Sequence, residues 1–253
     1  MLFFSLLLLI GINSNFVYAS FERKYTSAKS AALSDSLPSL FESKKGIYFE
    51  RSLIQPIQLE RTTFVAELSI PNGFINLTYD SFGDNEVDME LSYFEKVLAV
   101  KAVYSLVNDL FDAGIRLNKY DVDTAYSGNG FGLDIGVQIY PTSKLSVGLE
   151  LIDALNYINY STGHHEKNPL NSILFIQFAP YEKLKGYSRV SSGDGFSIGC
   201  EYFILSDFSA RLGMNNGHFS AGLGIGKNNW QFDYSLYHDL LGTQQTLGVC
   251  RKF

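Results

Sequence analysis

Apolar and polar residues alternate with a period of two along most of the chain from Gly46 onward. In residues 131–139, Phe, Leu, Ile, Val and Ile occupy every second position, and Gly, Asp, Gly and Gln stand between them. The same alternation runs through 208–214, 219–226 and 230–236. Because successive side chains of a strand point to opposite faces, this pattern predicts strands with one apolar face and one polar or glycine-rich face.

Turn sequences such as NNG at 215–217 and KNN at 227–229 separate these segments at short intervals. We therefore predict about fourteen antiparallel strands that follow one another in an up-and-down order. The alternation delimits fifteen segments, so one of them is wrong if the strand number is even. The segments are 46–53, 62–70, 73–80, 85–93, 97–107, 110–119, 130–140, 143–153, 170–179, 182–190, 195–203, 207–214, 217–226, 229–237 and 244–253.

Two regions depart from this regular pattern. Residues 93–110 fit either an amphipathic helix or two strands, and we favour two strands joined near Asn108 and Asp109. Residues 154–169 contain three Asn and two His without a clear alternation and predict a long loop.

The medium that meets the apolar face decides the fold class. A secreted, soluble domain would bury that face against a second sheet, whereas an outer-membrane barrel would turn it to lipid. Strands of about 9–11 residues with short connections favour a transmembrane antiparallel up-and-down β-barrel over 46–253. Aromatic residues near the segment ends also suggest interfacial girdles; they are Tyr93, Tyr140, Trp230, Tyr237 and Phe253.

The N-terminus predicts a secretory signal peptide over residues 1–19, with Ser20 as the first mature residue. Its apolar core, Leu2 to Ile12, is too short for a transmembrane anchor. Residues 20–45 are small, polar and weakly periodic, and predict a segment outside the main sheet, either periplasmic or in the barrel lumen. A short helix is expected within it at 28–35.

Composition narrows the function classes. The formal net charge of -6 argues against a nucleic-acid partner. A mean hydropathy of +0.02 is too low for a bundle of membrane helices, and no run of about 18 apolar residues follows the signal peptide.

The predicted polar face carries six charged residues that we place in the lumen. An Arg or Lys facing lipid at mid-depth would cost about 2–4 kcal/mol, whereas opposite charges in the lumen can pair across strands. These residues are Asp112, Arg116, Asp134, Glu201, Arg211 and Asp233. The same parity puts Cys200 on the lipid face and Cys250 on the lumen face, so we expect two unpaired thiols.

Residues 114–156 resemble the middle of PorV/PorQ-like outer-membrane proteins, a branch of the FadL-like barrels. Those proteins carry a Gly-hydrophobic-Asp-hydrophobic-Gly strand, which 132–136 matches. The tail is similar to their closing hairpins, with G-E-Y, R-x-G, G-x-G-x and D-Y strands in that order. The matching positions are Gly199–Tyr202, Arg211–Gly213, Gly222–Gly226, Asp233, Tyr234, His238, Leu241–Thr243 and Phe253.

This resemblance spans about residues 85–253 and implies a partner-binding component of protein export or surface attachment, as in type IX secretion. The alternatives are FadL-like transport of hydrophobic small molecules across the bacterial outer membrane and a purely structural barrel. Phe253 resembles the terminal residue that the barrel-assembly machinery recognises, although Arg251 replaces the usual aromatic before it. Expected partners are outer-membrane lipid, this machinery and secretion-system proteins.

Three short motifs suggest enzymatic or cofactor chemistry but fit structural roles better. Residues 195–199 match the G-x-S-x-G nucleophile pattern, yet Ser197 lies within an alternating strand and not at a strand-to-helix elbow. Residues 222–227 resemble a phosphate loop without its first Gly and its Ser or Thr. His164, His165 and Glu166 are adjacent, so their side chains point apart, and no further metal ligand is suitably spaced to complete a site. We therefore predict no catalytic, cofactor or metal site.

Overall fold

The computed structural model of the chain is a closed antiparallel β-barrel of fourteen long strands, which confirms the predicted fold class. Each strand pairs with its neighbours in sequence, and the first strand pairs with the last over Gly46–Gln55 and residues 243–252. The ring therefore has no open edge, so no unpaired row of backbone groups meets the bilayer.

The described residues are 27–55, 58–84, 93–107, 110–124, 126–193, 195–239 and 242–253. They contain one short helix and fifteen strands, of which β8 has only two residues and stands beside β7 outside the ring. The elements are α1 (Ala28–Ala32), β1 (Gly46–Gln55), β2 (Leu59–Ile70), β3 (Gly73–Asp84), β4 (Phe94–Val107), β5 (Phe111–Asp123), β6 (Ser127–Thr142), β7 (Leu145–Tyr160), β8 (His165–Glu166), β9 (Asn171–Tyr181), β10 (Leu184–Ser191), β11 (Gly195–Leu205), β12 (Phe208–Asn215), β13 (His218–Lys227), β14 (Trp230–Asp239) and β15 (Gly242–Lys252).

Fourteen of the fifteen segments delimited by the sequence correspond to long strands. The fifteenth, 85–93, lies outside the described residues except for Tyr93, which belongs to no strand. The signal peptide predicted at 1–19 also lies outside them. The choice of two strands over a helix at 93–110 is correct, since β4 and β5 flank the predicted junction, whose residues 108 and 109 are not described.

The two ends of the barrel differ in their connections. Six connections of two or three residues, together with Gly46 and Lys252, form one end, which we call the turn end. The opposite end, the loop end, carries the longest connections, 85–93 and 161–170. In outer-membrane barrels the short turns are periplasmic, so the turn end corresponds to the periplasmic side.

The outer face of the barrel is apolar and its inner face is polar, as the alternation predicts. On β1, Phe49 is 47% exposed on the outside whereas Tyr48 and Glu50 point inward and are buried. Leu223 and Ile225 likewise face outward on β13. Among the described residues, no helix is long and apolar enough to cross a bilayer.

Two of the five proposed girdle aromatics face the lumen instead. Tyr237 is buried beside Ala31, and Tyr140 donates a hydrogen bond to Asp112 at 2.6 Å. Trp230 is exposed on the outside at the turn end, as a girdle residue would be. The reason is parity: Tyr237 lies an odd number of positions from Trp230, so the two side chains point to opposite faces.

Both cysteines are free, as predicted. Cys200 is exposed on the outer face of β11, and Cys250 is buried on the inner face of β15. The two cysteines lie on opposite faces of the barrel wall, as predicted from the alternation in each strand.

The long loop predicted at 154–169 is wrong for its first half. Strand β7 continues to Tyr160 because residues 155–160 pair with β6 beyond a β-bulge between Leu133 and Ile135. At the bulge Asp153 adopts a φ of 55° and its N–H donates to Asp134 at 2.7 Å. The bulge sets residues 152–154 of β7 opposite Asp134 alone, and polar residues such as Asn156 and Asn159 that follow it resemble a loop in sequence.

Candidate functional site

Residues 27–45, which we call the plug, lie against the inward faces of the strands. Leu40 packs over Gly114 and Gly136, where an added Cβ would come within 2.9 Å of its side chain. The backbone of Leu33 lies closer still to Gly213, 2.4 Å from an added Cβ, and its carbonyl oxygen lies 2.9 Å from one added at Gly199. The glycine-rich inner face predicted by the sequence is thus the surface on which the plug packs, because only glycine allows this close approach.

Three glutamates of the wall hold the backbone of the plug. Glu150 on β7 accepts hydrogen bonds from the N–H groups of Leu40 at 2.7 Å and Ser39 at 3.2 Å. Glu67 on β2 accepts from the N–H groups of Lys44 at 3.0 Å and Lys45 at 2.9 Å. Glu50 on β1 accepts from the N–H of Ala28. Each carboxylate thereby satisfies donors of an irregular segment that has no sheet partner.

Two cations of the wall reach other groups of the plug. Arg189 on β10 pairs with the Asp35 carboxylate and donates to the Asp35 carbonyl oxygen at 2.9 Å. Lys101 on β4 donates to the carbonyl oxygen of Glu42 at 2.8 Å. Contacts therefore anchor the plug on opposite sides of the ring.

The six lumen residues singled out from the sequence all lie on the inner face, in three places. Arg116 and Asp134 are direct cross-strand partners on β5 and β6, with Nε and Oδ2 2.6 Å apart. Asp112 lies apart from them, at the turn end of β5, and accepts the hydrogen bond from Tyr140.

The remaining three form a buried charged triad. Arg211 donates from Nε to Glu201 at 2.8 Å and from Nη1 to Asp233 at 2.5 Å. Lys29 of the plug adds a second cation to Glu201 at 3.0 Å. Two carboxylates and two cations thus balance one another in a buried position, where an unpaired charge would be costly.

Two of the short motifs lie within strands, 195–199 on β11 and 222–227 on β13. Ser197 is buried within strand β11, with no helix following it. Among the described residues, no three His, Cys, Asp or Glu side chains are grouped as metal ligands would be.

A small polar cavity of about 60 Å³ lies between the plug and β2 to β5. Its lining includes Glu42, Arg61, Asp80, Lys101 and Arg116. Arg61 and Asp80 pair at 2.6 Å across it. A cavity of this size holds a few water molecules, since one water needs about 10–15 Å³.

A larger cavity of about 310 Å³, the turn-end cavity, lies between the plug and β6, β7, β9 and β10. Its walls are mixed: apolar and aromatic side chains of the plug and strands alternate with lysines. The lining residues are Lys29, Leu37, Pro38, Phe41, Glu42, Tyr140, Ser143, Lys144, Leu145, Ser146, Gln177, Phe178, Ala179, Lys185, Gly186 and Tyr187.

Glu42 borders both cavities and carries a negative charge at neutral pH. Burial by itself would raise the pKa of its carboxyl, but Lys44, followed by Lys29 and Lys101, outweighs burial and brings the pKa below its ordinary value. The Lys44 ammonium lies 2.8 Å from the Glu42 carboxylate and neutralises it.

The plug-holding residues Glu50, Glu67 and Glu150 are not among the lumen residues predicted from the sequence. A signal was present for Glu150, since Leu149 and Leu151 flank it in an alternating segment and give it inward parity. Its partners are backbone N–H groups of a segment without periodicity, so no sequence pattern pointed to them.

No family model and no curated protein sequence matches the chain. Its fold is similar to the CymD monoaromatic hydrocarbon channel, with a TM-score of 0.57, 11% identity, and coverage of 90% of this chain and 93% of that one. The toluene transporter TodX of P. putida gives a TM-score of 0.55 at 10% identity, covering 91% and 99% of the two chains. A FadL homologue of Pseudomonas aeruginosa gives 0.55 at 8% identity, covering 88% and 97%.

The chain has the fold of a bacterial outer-membrane β-barrel. Identities this low show a shared barrel fold alone. The predicted barrel of the outer membrane is therefore confirmed, whereas the narrower resemblance to PorV/PorQ-like proteins stays a prediction.

Proposed function

We propose that this barrel passes small hydrophobic molecules across the outer membrane. The observation that carries the proposal is the turn-end cavity, a space of about 310 Å³ whose mixed lining includes apolar and aromatic side chains, beside the plug at the periplasmic end of the lumen. Three proteins of similar fold are a monoaromatic hydrocarbon channel, a toluene transporter and a FadL homologue.

Size and lining favour a small, largely apolar molecule. An apolar protein cavity of roughly 150 Å³ is known to hold benzene, so a space of about 310 Å³ accommodates a substituted ring. Leu37, Phe41 and Tyr187 supply apolar wall on the plug and β10 sides. The polar cavity is too small and too charged for such a molecule, so passage through the lumen requires the plug to shift away from β2 to β5.

A matched pair of variants tests this function. Ser146→Phe adds a ring on the inner face of β7, where Ser146 lines the turn-end cavity, whereas Ser188→Phe adds the same ring to the outer face of β10. Uptake of radiolabelled toluene would be measured in lipopolysaccharide-bearing cells without another channel for it. We expect the parent chain and Ser188→Phe to raise uptake equally, and Ser146→Phe to abolish most of the gain. Uptake no higher than in cells without the barrel would refute the proposal.

The second candidate is a partner-binding role in protein export, as in type IX secretion. The ordered motifs of 85–253 that resemble PorV/PorQ-like proteins favour it. Its test is separate: the detergent-extracted barrel should co-purify with a particular envelope protein after mild cross-linking in its native cells. Recovery of the barrel alone, together with lipid and assembly factors, would count against this role.

A further inference from the structure

The turn-end cavity has an excess of positive charge that a passage for neutral hydrocarbons does not need. Three lysines line it, Lys29, Lys144 and Lys185, and Glu42 is the one carboxylate in its described lining. Lys44 already neutralises Glu42, and Lys29 is bound to Glu201 at 3.0 Å.

Of the three lysines that line the cavity, Lys144 and Lys185 have no carboxylate of the described residues within 4.0 Å. Lys144 donates to the carbonyl oxygen of Pro180 at 3.2 Å. Lys185 is half-buried on the inner face of β10, with Nζ 5.2 Å from the centre of the Phe203 ring. Each ammonium group therefore has N–H groups left with which it could donate hydrogen bonds to a bound anion.

The rest of the cavity suits an apolar body. Leu37 is buried against Leu33 and Tyr187, and Phe41 stacks obliquely on Phe175 with ring centres 5.9 Å apart. These side chains are fixed by packing and so form a wall that exists before a ligand arrives. Apolar walls also lower the local dielectric, which strengthens the attraction of a lysine for a negative group.

We propose that the turn-end cavity binds small hydrophobic anions, with single-ring aromatic carboxylates as the best fit. The ring would lie against the wall formed by Leu37, Phe41 and Tyr187, and the carboxylate would face Lys144 and Lys185. As a substrate preference this rests on the proposed passage function, but as a binding property it can be measured without transport.

Calorimetry on the full chain in a non-ionic detergent tests the preference directly. Benzoate and benzyl alcohol have nearly the same shape and differ in charge, and empty micelles supply the blank for partitioning. We expect the parent chain to bind benzoate at least about tenfold more tightly than the alcohol, as charge-assisted hydrogen bonds would give. The preference should shrink as salt rises, because ions screen exposed charges.

Lysine variants assign the effect to the cavity. Lys144→Gln/Lys185→Gln should bring benzoate down to the affinity of the alcohol, whereas Lys183→Gln should leave the preference intact. Lys183 lies in the β9–β10 connection two residues before Lys185, is exposed and does not line the cavity. Gel mobility before and after boiling would verify that each variant is a folded barrel.

The outcomes separate this inference from the passage function. Equal affinities in the parent chain, no binding of either compound, or an undiminished preference in the double variant would each overturn the anion site. If toluene uptake occurs but the benzoate preference is absent, the passage function stands and the anion site falls. If benzoate binds selectively but toluene uptake is absent, the site stands without the passage function.

Discussion

Arg211 on β12 reaches Asp233 on β14 at 2.5 Å, although strand β13 lies between them. The guanidinium crosses β13 directly over Gly224, where an added Cβ would lie 2.4 Å from Nη2. Gly224 is one of several glycines on the inner face of β13. Its lack of a side chain allows the Arg211–Asp233 pair to span three strands. The contact explains why a small residue is needed there.

Gly224→Ala should therefore destabilise the barrel by about 2–3 kcal/mol, because Arg211 would have to leave a buried carboxylate. Gly226→Ala is the matched control, since nothing lies closer than 3.9 Å to its added Cβ. Urea unfolding in detergent micelles would measure both. Equal midpoints for the two variants would contradict the close crossing of Arg211 over β13.

Glu150→Gln should loosen the plug without opening the ring. The amide keeps one oxygen as acceptor, so the N–H groups of Ser39 and Leu40 no longer share a charged pair of oxygens. We expect the free energy that holds the plug against the wall to fall by about 1.5 kcal/mol, which corresponds to roughly tenfold faster cleavage of the plug by a small protease. Glu60→Gln, which affects the Arg51 pair at the loop end, is the control and should leave plug cleavage unchanged.

The two thiols should react differently. A lipid-soluble maleimide should label Cys200 in the folded barrel, whereas Cys250, buried and donating to the Lys44 carbonyl oxygen at 3.2 Å, should react after denaturation. Mass spectrometry of peptides would distinguish the two sites. A disulfide between them in the non-reduced protein would refute the register of β11 or β15.

Replacement of Phe253 tests whether this residue is the predicted signal for the barrel-assembly machinery. The residue is 80% exposed after the end of β15, so its removal costs little packing in the folded barrel. We expect Phe253→Ala to reduce the amount of heat-modifiable barrel in membranes several-fold, while Phe219→Ala, an exposed residue on β13, does not. Equal amounts of folded barrel from both variants would remove Phe253 from this role.

The alternation of side chains was sufficient to predict the ring, since each of its fourteen strands spans eight or more residues with alternating faces. The same parity placed Arg116 and Arg211 inside. It also placed Tyr237 inside, against its assignment to the girdle, which depended on nearness to a strand end and ignored parity. The face to which a side chain points is thus easier to predict than its depth in the membrane. The face follows from local alternation along the strand, whereas the depth depends on the tilt of the strand.

The plug and its cavities could not be predicted in the same way. Residues 27–45 have no periodicity, and their position depends on backbone donors that any sequence would carry. The β6–β7 bulge at Asp134 had no recognisable signature either, because the three residues of β7 opposite Asp134, 152–154, leave the same parity facing inward on both sides of the bulge. The lysines of the turn-end cavity come from the plug and two separate hairpins, so only the closed ring brings them together.

The central claim is that the outward side chains meet lipid acyl chains, and tryptophan fluorescence tests it most directly. Trp230 is the single tryptophan of the sequence, so Trp230→Phe combined with Leu223→Trp places one reporter at the outer face of mid-β13. In bilayers with bromine deep in the acyl chains, we predict strong quenching of this reporter and little quenching by iodide. Strong quenching by iodide with none from brominated lipid would contradict the claim.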